Sequence, residues 1–234
     1  MRKTKNAIIL CSGGLDSSVT SYYVKNKLKH DKLIILFFNY NQRTLDREKE
    51  ASKRIAKKLN AKFIEINLKW LGDISNSLIN TNKKAKKLTR KQLKDTKKES
   101  EKFYVPCRNT IFLINAIALA EALFIKEKKI YDIFVGFKNE GKESYPDTTI
   151  KFVKQMNKLS KISTNFKGKI IAPLIKKDKE DIILLGKKLN LDLSKTYSCY
   201  VSNNIHCGSC LACQLRKAGF YWANLKDKTR YKNK

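Results

Sequence analysis

Acidic residues, arginine, glycine and proline are all scarce in this chain. Only 21 Asp and Glu face 51 Lys and Arg, leaving a formal charge of +30. Just eight of those 51 are Arg, so the excess is almost entirely lysine. Clustered basic residues neutralise phosphates and point to nucleic acid, yet bidentate phosphate recognition favours Arg. With nine Gly and three Pro beside abundant Lys, Asn and Ile, the composition fits residue choice set by an AT-rich genome. Genome composition is therefore the favoured source of the charge, and a nucleic-acid or other polyanionic partner the second. No apolar run approaches the roughly 20 residues needed to span a bilayer. The basic start Met1-Arg2-Lys3-Thr4-Lys5 leads into an apolar stretch covering only Ala7 to Cys11, too short for a signal-peptide core. A cytoplasmic protein without membrane contact is expected.

What is present suffices for one domain with a small appendage. The 234 residues are 42% hydrophobic, enough for a proper core. Apolar runs at 7–11, 33–38, 63–66, 133–135 and 170–171 read as buried strands. Between them, 15–29, 47–59, 111–123, 150–159 and 179–189 read as helices; Ala51, Ile55, Ala56 and Leu59 make the apolar side of the second. Strands alternating with helices predict a doubly wound parallel α/β sheet. Residues 72–102 break the rhythm with Lys83-Lys84-Ala85-Lys86-Lys87 and Lys97-Lys98, as either a solvated insertion or a lid. The division expected is an α/β nucleotide-binding domain over 1–190 and a small cysteine-rich module over 191–234.

The strongest motif lies between the first strand and the first helix: Cys11-Ser12-Gly13-Gly14-Leu15-Asp16-Ser17-Ser18. Glycines let the backbone turn sharply and approach an anion, and the helix start offers unpaired N–H groups to phosphate oxygens. Ser12, Ser17 and Ser18 add hydroxyls, and Asp16 suits Mg²⁺ or the orientation of the loop. The Gly-Lys-Ser/Thr ending of a Walker A loop is missing. The segment resembles the PP-loop signature Ser-Gly-Gly-x-Asp-Ser of the adenine-nucleotide α-hydrolases, a Rossmann-type (HUP-like) fold. That resemblance implies ATP cleaved to AMP and pyrophosphate.

Four cysteines near the end, Cys199, Cys207, Cys210 and Cys213, are separated by seven, two and two residues. Two overlapping C-x-x-C steps place three thiolates in one tight turn, and the fourth closes a tetrahedron, the pattern of structural zinc (Zn²⁺). An iron–sulfur cluster and disulfides are the alternatives. His206 abuts Cys207, but four thiolates already complete such a site. Cys11 suits strand packing, and Cys107 sits in a turn.

With the loop at one end and the cysteines at the other, the chain resembles the QueC family over nearly its whole length. Further matching segments are Phe38-Asn39-Tyr40-Asn41-Gln42-Arg43, Tyr104-Val105-Pro106-Cys107-Arg108-Asn109, Tyr145-Pro146-Asp147, Pro173-Leu174 and Thr196-Tyr197-Ser198-Cys199-Tyr200. The resemblance implies a ligase that turns 7-carboxy-7-deazaguanine and ammonia into the 7-cyano nitrile through two adenylations, in queuosine-type biosynthesis, commonly as a homodimer. Within that scheme Asp16, Ser17, Arg108 and Asp147 are the catalytic candidates. Cys11 to Ser18, Gln42 and Arg43 would meet the nucleotide. Asn109 doubles as a helix N-cap, and Tyr145 either stacks on a purine-like base or packs its turn. Against the family pattern, Asn39 replaces an acid, Asn41 a glycine, Cys107 a frequent glycine, and Gly141 an Asp that Glu140 or Glu143 could replace.

Overall fold

The computed structural model describes residues 5–94, 96–139 and 145–232. Five strands, β1 (Asn6–Leu10), β2 (Lys32–Asn39), β3 (Lys62–Asn67), β4 (Tyr131–Phe134) and β5 (Ile170–Ile171), form one sheet in the order β3-β2-β1-β4-β5. Every pairing is parallel, the doubly wound arrangement anticipated from the strand–helix alternation. β1 and β2 are buried over almost their whole length because both faces are covered, whereas the edge strand β3 is half-buried and carries Glu65. Ile8, Ile34, Leu36 and Ile133 belong to one core, and Ala7, Ile9, Leu33, Ile35 and Phe134 to the other.

The second core is closed by α1 (Leu15–Asn26), α2 (Leu45–Lys58), α7 (Lys179–Lys188) and α8 (Leu211–Trp222), through residues such as Val19, Ile55, Ile182 and Phe220. The first is closed by α5 (Arg108–Glu127) and α6 (Ile150–Ser163), which contribute Leu113, Ala116, Ile117 and Met156. By length and composition α5 is apolar enough to cross a membrane, which corrects the expectation that no stretch comes close. Its buried residues Asn109, Leu113, Ala116, Ile117 and Ala120 fall on one face at helical spacing, and that face lies on the sheet. It is a core helix of this fold.

Residues 72–102 begin within the last turn of the short α3 (Lys69–Asp73) and, among the described residues, contain one 3₁₀ turn and α4 (Lys97–Glu101). Leu78, Ile79 and Leu88 anchor the segment in the first core. The Leu78 N–H donates to the Lys102 carbonyl, and the Leu88 N–H to Ser209 in the cysteine region. That region also shares its side chains: Leu211 enters the first core, and Phe220 and Ala223 the second.

In sequence order the chain moves from β1 outward to β2 and β3, then crosses to β4 on the other side of β1. The switch of direction lies between β1 and β4, where open α/β sheets leave a crevice beyond the strands' C-terminal ends.

Candidate active site

A cleft of about 290 Å³ opens at that switch point. Its floor is the loop after β1. Gly13 has φ +75°, and a Cβ there would lie 2.7 Å from both Ala51 Cβ and the Glu48 carbonyl oxygen. Only glycine permits both that conformation and the close approach of α2. Ser12 Oγ accepts the Gly14 N–H (3.3 Å) and lies 3.3 Å from Ser17 Oγ, whose hydroxyl donates to the Gly14 carbonyl (3.3 Å). From the β4 side, Gly136 comes so near α1 that a Cβ would sit 2.9 Å from the Ser17 Cα. Cys11, Ser12, Gly14, Leu15, Asp16 and Ser17 line the cleft. Gly13 and Ser18 stand behind it, and the Ser18 hydroxyl is buried without a hydrogen-bond partner.

Asp16 faces a residue that sequence reasoning did not single out. Lys179 Nζ, at the start of α7, donates to both Asp16 oxygens at 2.8 and 2.7 Å, and it too lines the cleft. An Asp178–Asp181 capping box fixes the helix end that carries it. The pair places a lysine ammonium over the glycine loop, where the charge of an anionic ligand would be met.

Arg108 also lines the cleft, as the first residue of α5. Burial alone would lower its pKa, but Tyr40, Tyr200 and Asp147 more than offset this and raise it. The half-buried guanidinium therefore stays charged. Asn109 was expected as the N-cap; the helix instead begins one residue earlier, and Asn109 is its second residue. Asp147, buried and absent from the cleft lining, supplies the cap from a distance: its Oδ2 accepts the Asn109 N–H and its carbonyl accepts from the Asn109 amide, both at 3.3 Å. Tyr145 lines the cleft, donates to the Ser100 carbonyl (2.7 Å) and stacks on Tyr104 with centroids 5.8 Å apart.

The residue before α5, Cys107, is an exposed non-glycine at φ +55°. A left-handed conformation costs an L-residue roughly 1–2 kcal/mol, which glycine avoids. Cys107→Gly is expected to raise unfolding stability by about 1 kcal/mol, measured by denaturant titration; a loss of stability would contradict the strain.

Gln42 and Arg43 follow β2 but do not line the cleft. Gln42 is buried, its Oε1 accepting the Tyr40 N–H (2.9 Å) and its amide donating to the Phe38 carbonyl (3.0 Å) and to Glu48 (3.3 Å). Arg43 donates to the Lys83 carbonyl (3.0 Å), and its N–H to Ile79, so it ties down the 72–102 segment. Glu48 itself is buried and lines the cleft. Its signal was readable: it lies three residues before Ala51 and seven before Ile55, a carboxylate on the apolar face of α2. Asn39, at the end of β2, accepts the Asn41 N–H (3.3 Å), and Asn41 donates to Asp73 (2.6 Å) from a left-handed conformation at φ +60°. Glu140, Gly141 and Glu143 lie outside the described residues.

The four cysteine sulfurs lie within 4.8 Å of one another. Cys199–Cys210 and Cys207–Cys213 are each 3.9 Å apart, near the edge of about 3.8 Å expected for a tetrahedron with metal–sulfur bonds of about 2.3 Å. Cys207 Sγ accepts the Cys210 N–H (3.2 Å) and Cys199 Sγ the Cys207 N–H (3.4 Å), bonds that favour thiolates. All four cysteines are free, so the cluster could hold a metal ion. His206 takes no part in it. Burial lowers its pKa to about 4, and the neutral ring accepts the Ser198 N–H through Nε2 (3.0 Å) between Tyr197 and Tyr231.

This cluster adjoins the cleft. The Tyr197 N–H donates to the Gly13 carbonyl (2.8 Å), and Tyr197, Ser198, Tyr200 and Leu211 line the cavity wall. Buried Arg216 on α8 braces the same segment, donating to Thr196 (2.8 Å), Ser198 (3.0 Å) and the Leu193 carbonyl (2.6 Å).

Comparison with known proteins agrees with this architecture. A 7-cyano-7-deazaguanine synthase of Methanosphaera stadtmanae is 38% identical over 229 residues, covering 96% of this chain and 97% of that protein. Enzymes of the same name from Nitratiruptor (39%, covering 97% and 99%) and Campylobacter jejuni (35%, covering 98% and 100%) match equally fully. The family profile "Queuosine biosynthesis protein QueC" matches residues 6–224, and the chain belongs to that family.

Proposed function

We propose that this chain is the carbon–nitrogen ligase that joins 7-carboxy-7-deazaguanine to ammonia and carries the amide on to 7-cyano-7-deazaguanine, splitting ATP to AMP and pyrophosphate. The observation that carries this reading is the cleft itself. A glycine loop with its lysine and a half-buried arginine line one cavity together with Tyr145, Tyr200 and Phe112, within a chain whose full-length relatives bear the synthase name.

A carboxylate resists attack by ammonia because its charge and resonance repel a nucleophile. Adenylation converts one oxygen into a leaving group, and a second adenylation, of the amide oxygen, lets the nitrile form. The chain must therefore hold pyrophosphate charge twice and keep water from the activated acid. The loop N–H groups, Ser12, Ser17 and Lys179 are placed for the phosphates, and Asp16 would hold the Mg²⁺ that accompanies the nucleotide and neutralises its charge. Arg108 orients the substrate carboxylate or the α-phosphate through its fork of donors. Asp147 acts behind it, as a positioning residue fixing the start of α5. Gln42 and Arg43 hold the turn after β2 and serve the nucleotide only indirectly. Tyr145 and Tyr200 offer flat faces for a purine-like ring.

The four thiolates suit a structural Zn²⁺ with no open position, since all four ligands come from the protein. A cytoplasmic setting keeps them reduced. A homodimer is the expected assembly, and nucleic acid is not required for the reaction.

Purified protein incubated with ATP, Mg²⁺, ammonium and 7-carboxy-7-deazaguanine should yield AMP and the nitrile by mass spectrometry. Folded, metal-loaded protein that forms neither would sink the proposal. AMP formed only with added tRNA would instead favour a related ligase acting on RNA.

A further inference from the structure

The cleft contains two carboxylates among its described lining residues, Asp16 and Glu48. Asp16 has a lysine partner. Glu48 has none: among the described residues, no basic side chain lies within ion-pair distance of it. In a chain with 51 Lys and Arg, a carboxylate that is only 9% exposed and has no ion-pair partner, Arg108 acting on it only from beyond that distance, stands out. Burying an unpaired charge is costly, so the group is either kept neutral or matched by something that enters the cleft.

Its orientation is held from several sides. Glu48 Oε1 accepts the Thr44 hydroxyl at 2.5 Å, and Oε2 accepts the Gln42 amide at 3.3 Å. Gln42 is itself locked by Tyr40 and Phe38. The charged and titratable groups acting on Glu48 are Arg108 from α5 and Cys199 from the cysteine cluster, with Tyr40 close by at the end of β2. The proposed reaction consumes a small cation as it is found in neutral water, since ammonia is then mostly ammonium. Ammonium cannot attack a carbonyl until it loses a proton.

We infer that Glu48 is the ammonium site of the cleft and the base that releases ammonia for attack on the activated acid. This rests on the ligase reading above. The carboxylate binds NH₄⁺ as an ion pair and takes one proton, becoming a carboxylic acid and leaving NH₃. The nitrogen lone pair forms the C–N bond, the C–O bond to AMP breaks, and AMP departs with that electron pair. The surplus proton on nitrogen leaves to solvent, and Glu48 returns its own proton to solvent before the next cycle. Burial pushes the carboxyl up to about 7, against the opposing pull of the Thr44 and Gln42 hydrogen bonds and Arg108. A base in that range is ionised as the pH rises past neutrality.

The test separates the two halves of the reaction with Glu48→Gln. Acid-dependent ATP–pyrophosphate exchange, which needs no ammonia, should stay within about twofold of the native enzyme, while amide formation at subsaturating ammonium near pH 7 falls by about 10²–10⁴-fold. Raising the pH should restore the variant's rate in proportion to free ammonia, and Glu48→Asp should recover part of the loss at neutral pH. Exchange falling in step with amide formation would overturn the inference, because Glu48 would then serve only to shape the ATP loop. Amide formation at the native rate would overturn it as well. Absence of exchange in the native protein would remove the ligase reading and this inference together.

Discussion

Asp16→Ala should abolish turnover while leaving the protein folded. The carboxylate takes part in no packing that the sheet depends on; its oxygens face the cleft and Lys179. Removing it deletes the candidate Mg²⁺ ligand and frees the lysine from the position that puts its charge over the loop. Losing a preorganised electrostatic partner at a developing charge costs on the order of 10³-fold in rate. The pair is partly buried, with side-chain exposures of 18% and 26%, so its contribution to folding is modest and the thermal midpoint should move by no more than about 3 °C. A fully active variant would show that Asp16 has no part in the chemistry. Lys179→Ala supplies the complementary measurement, and it should weaken nucleotide binding as well as turnover.

The second large effect belongs to the other end of the chain. Cys210→Ser should lose its full equivalent of metal and lower the thermal midpoint by about 10 °C or more, since binding free energy at such sites is folding free energy. Metal content and a melting curve on the same sample would decide this, and a variant that kept a full equivalent would contradict the site. Activity should fall with the metal. The segment 196–200, which carries Cys199, also lines the cleft and holds the Gly13 carbonyl through Tyr197. A ligand lost on one side of that segment loosens the phosphate loop on the other.

Much of this arrangement is legible in the sequence. The inner strands announced themselves as apolar runs, because strands covered on both faces leave little polar alternation to confuse the reading, while the edge strand β3 carries Glu65 among its apolar residues. The loop after β1 was legible because Gly13 answers to a backbone requirement that few sequences mimic. Other features depended on contacts between distant positions. Lys179 is one of many lysines, and its partner Asp16 lies 163 residues away. Gln42 and Arg43 sit where ligands gather, yet their side chains bind backbone instead, Gln42 in the interior at Phe38 and Arg43 at the surface at Lys83. Position along a strand does not dictate which way a side chain points once the strand has ended. Asn109 lost its expected capping role because Asp147, from another loop, was close enough to take it. Glu48 could have been found, since a lone acid on a helix's apolar face is visible in the heptad pattern alone.

The hydrogen bond from Tyr197 to Gly13 has a consequence in time. On the ribosome the glycine loop emerges ahead of the rest of the site, and β1 and β2 can pair soon afterwards. β4, which completes the switch point, follows about a hundred residues later at a synthesis rate of roughly 5–20 residues per second. The segment that takes the Gly13 carbonyl comes later still, just ahead of the cysteines that fix it. The earlier part of the site is therefore finished by the later, so a chain interrupted before residue 196 lacks the wall that Tyr197, Ser198 and Tyr200 supply. Such a copy holds the glycine loop without the contact that Tyr197 makes to it.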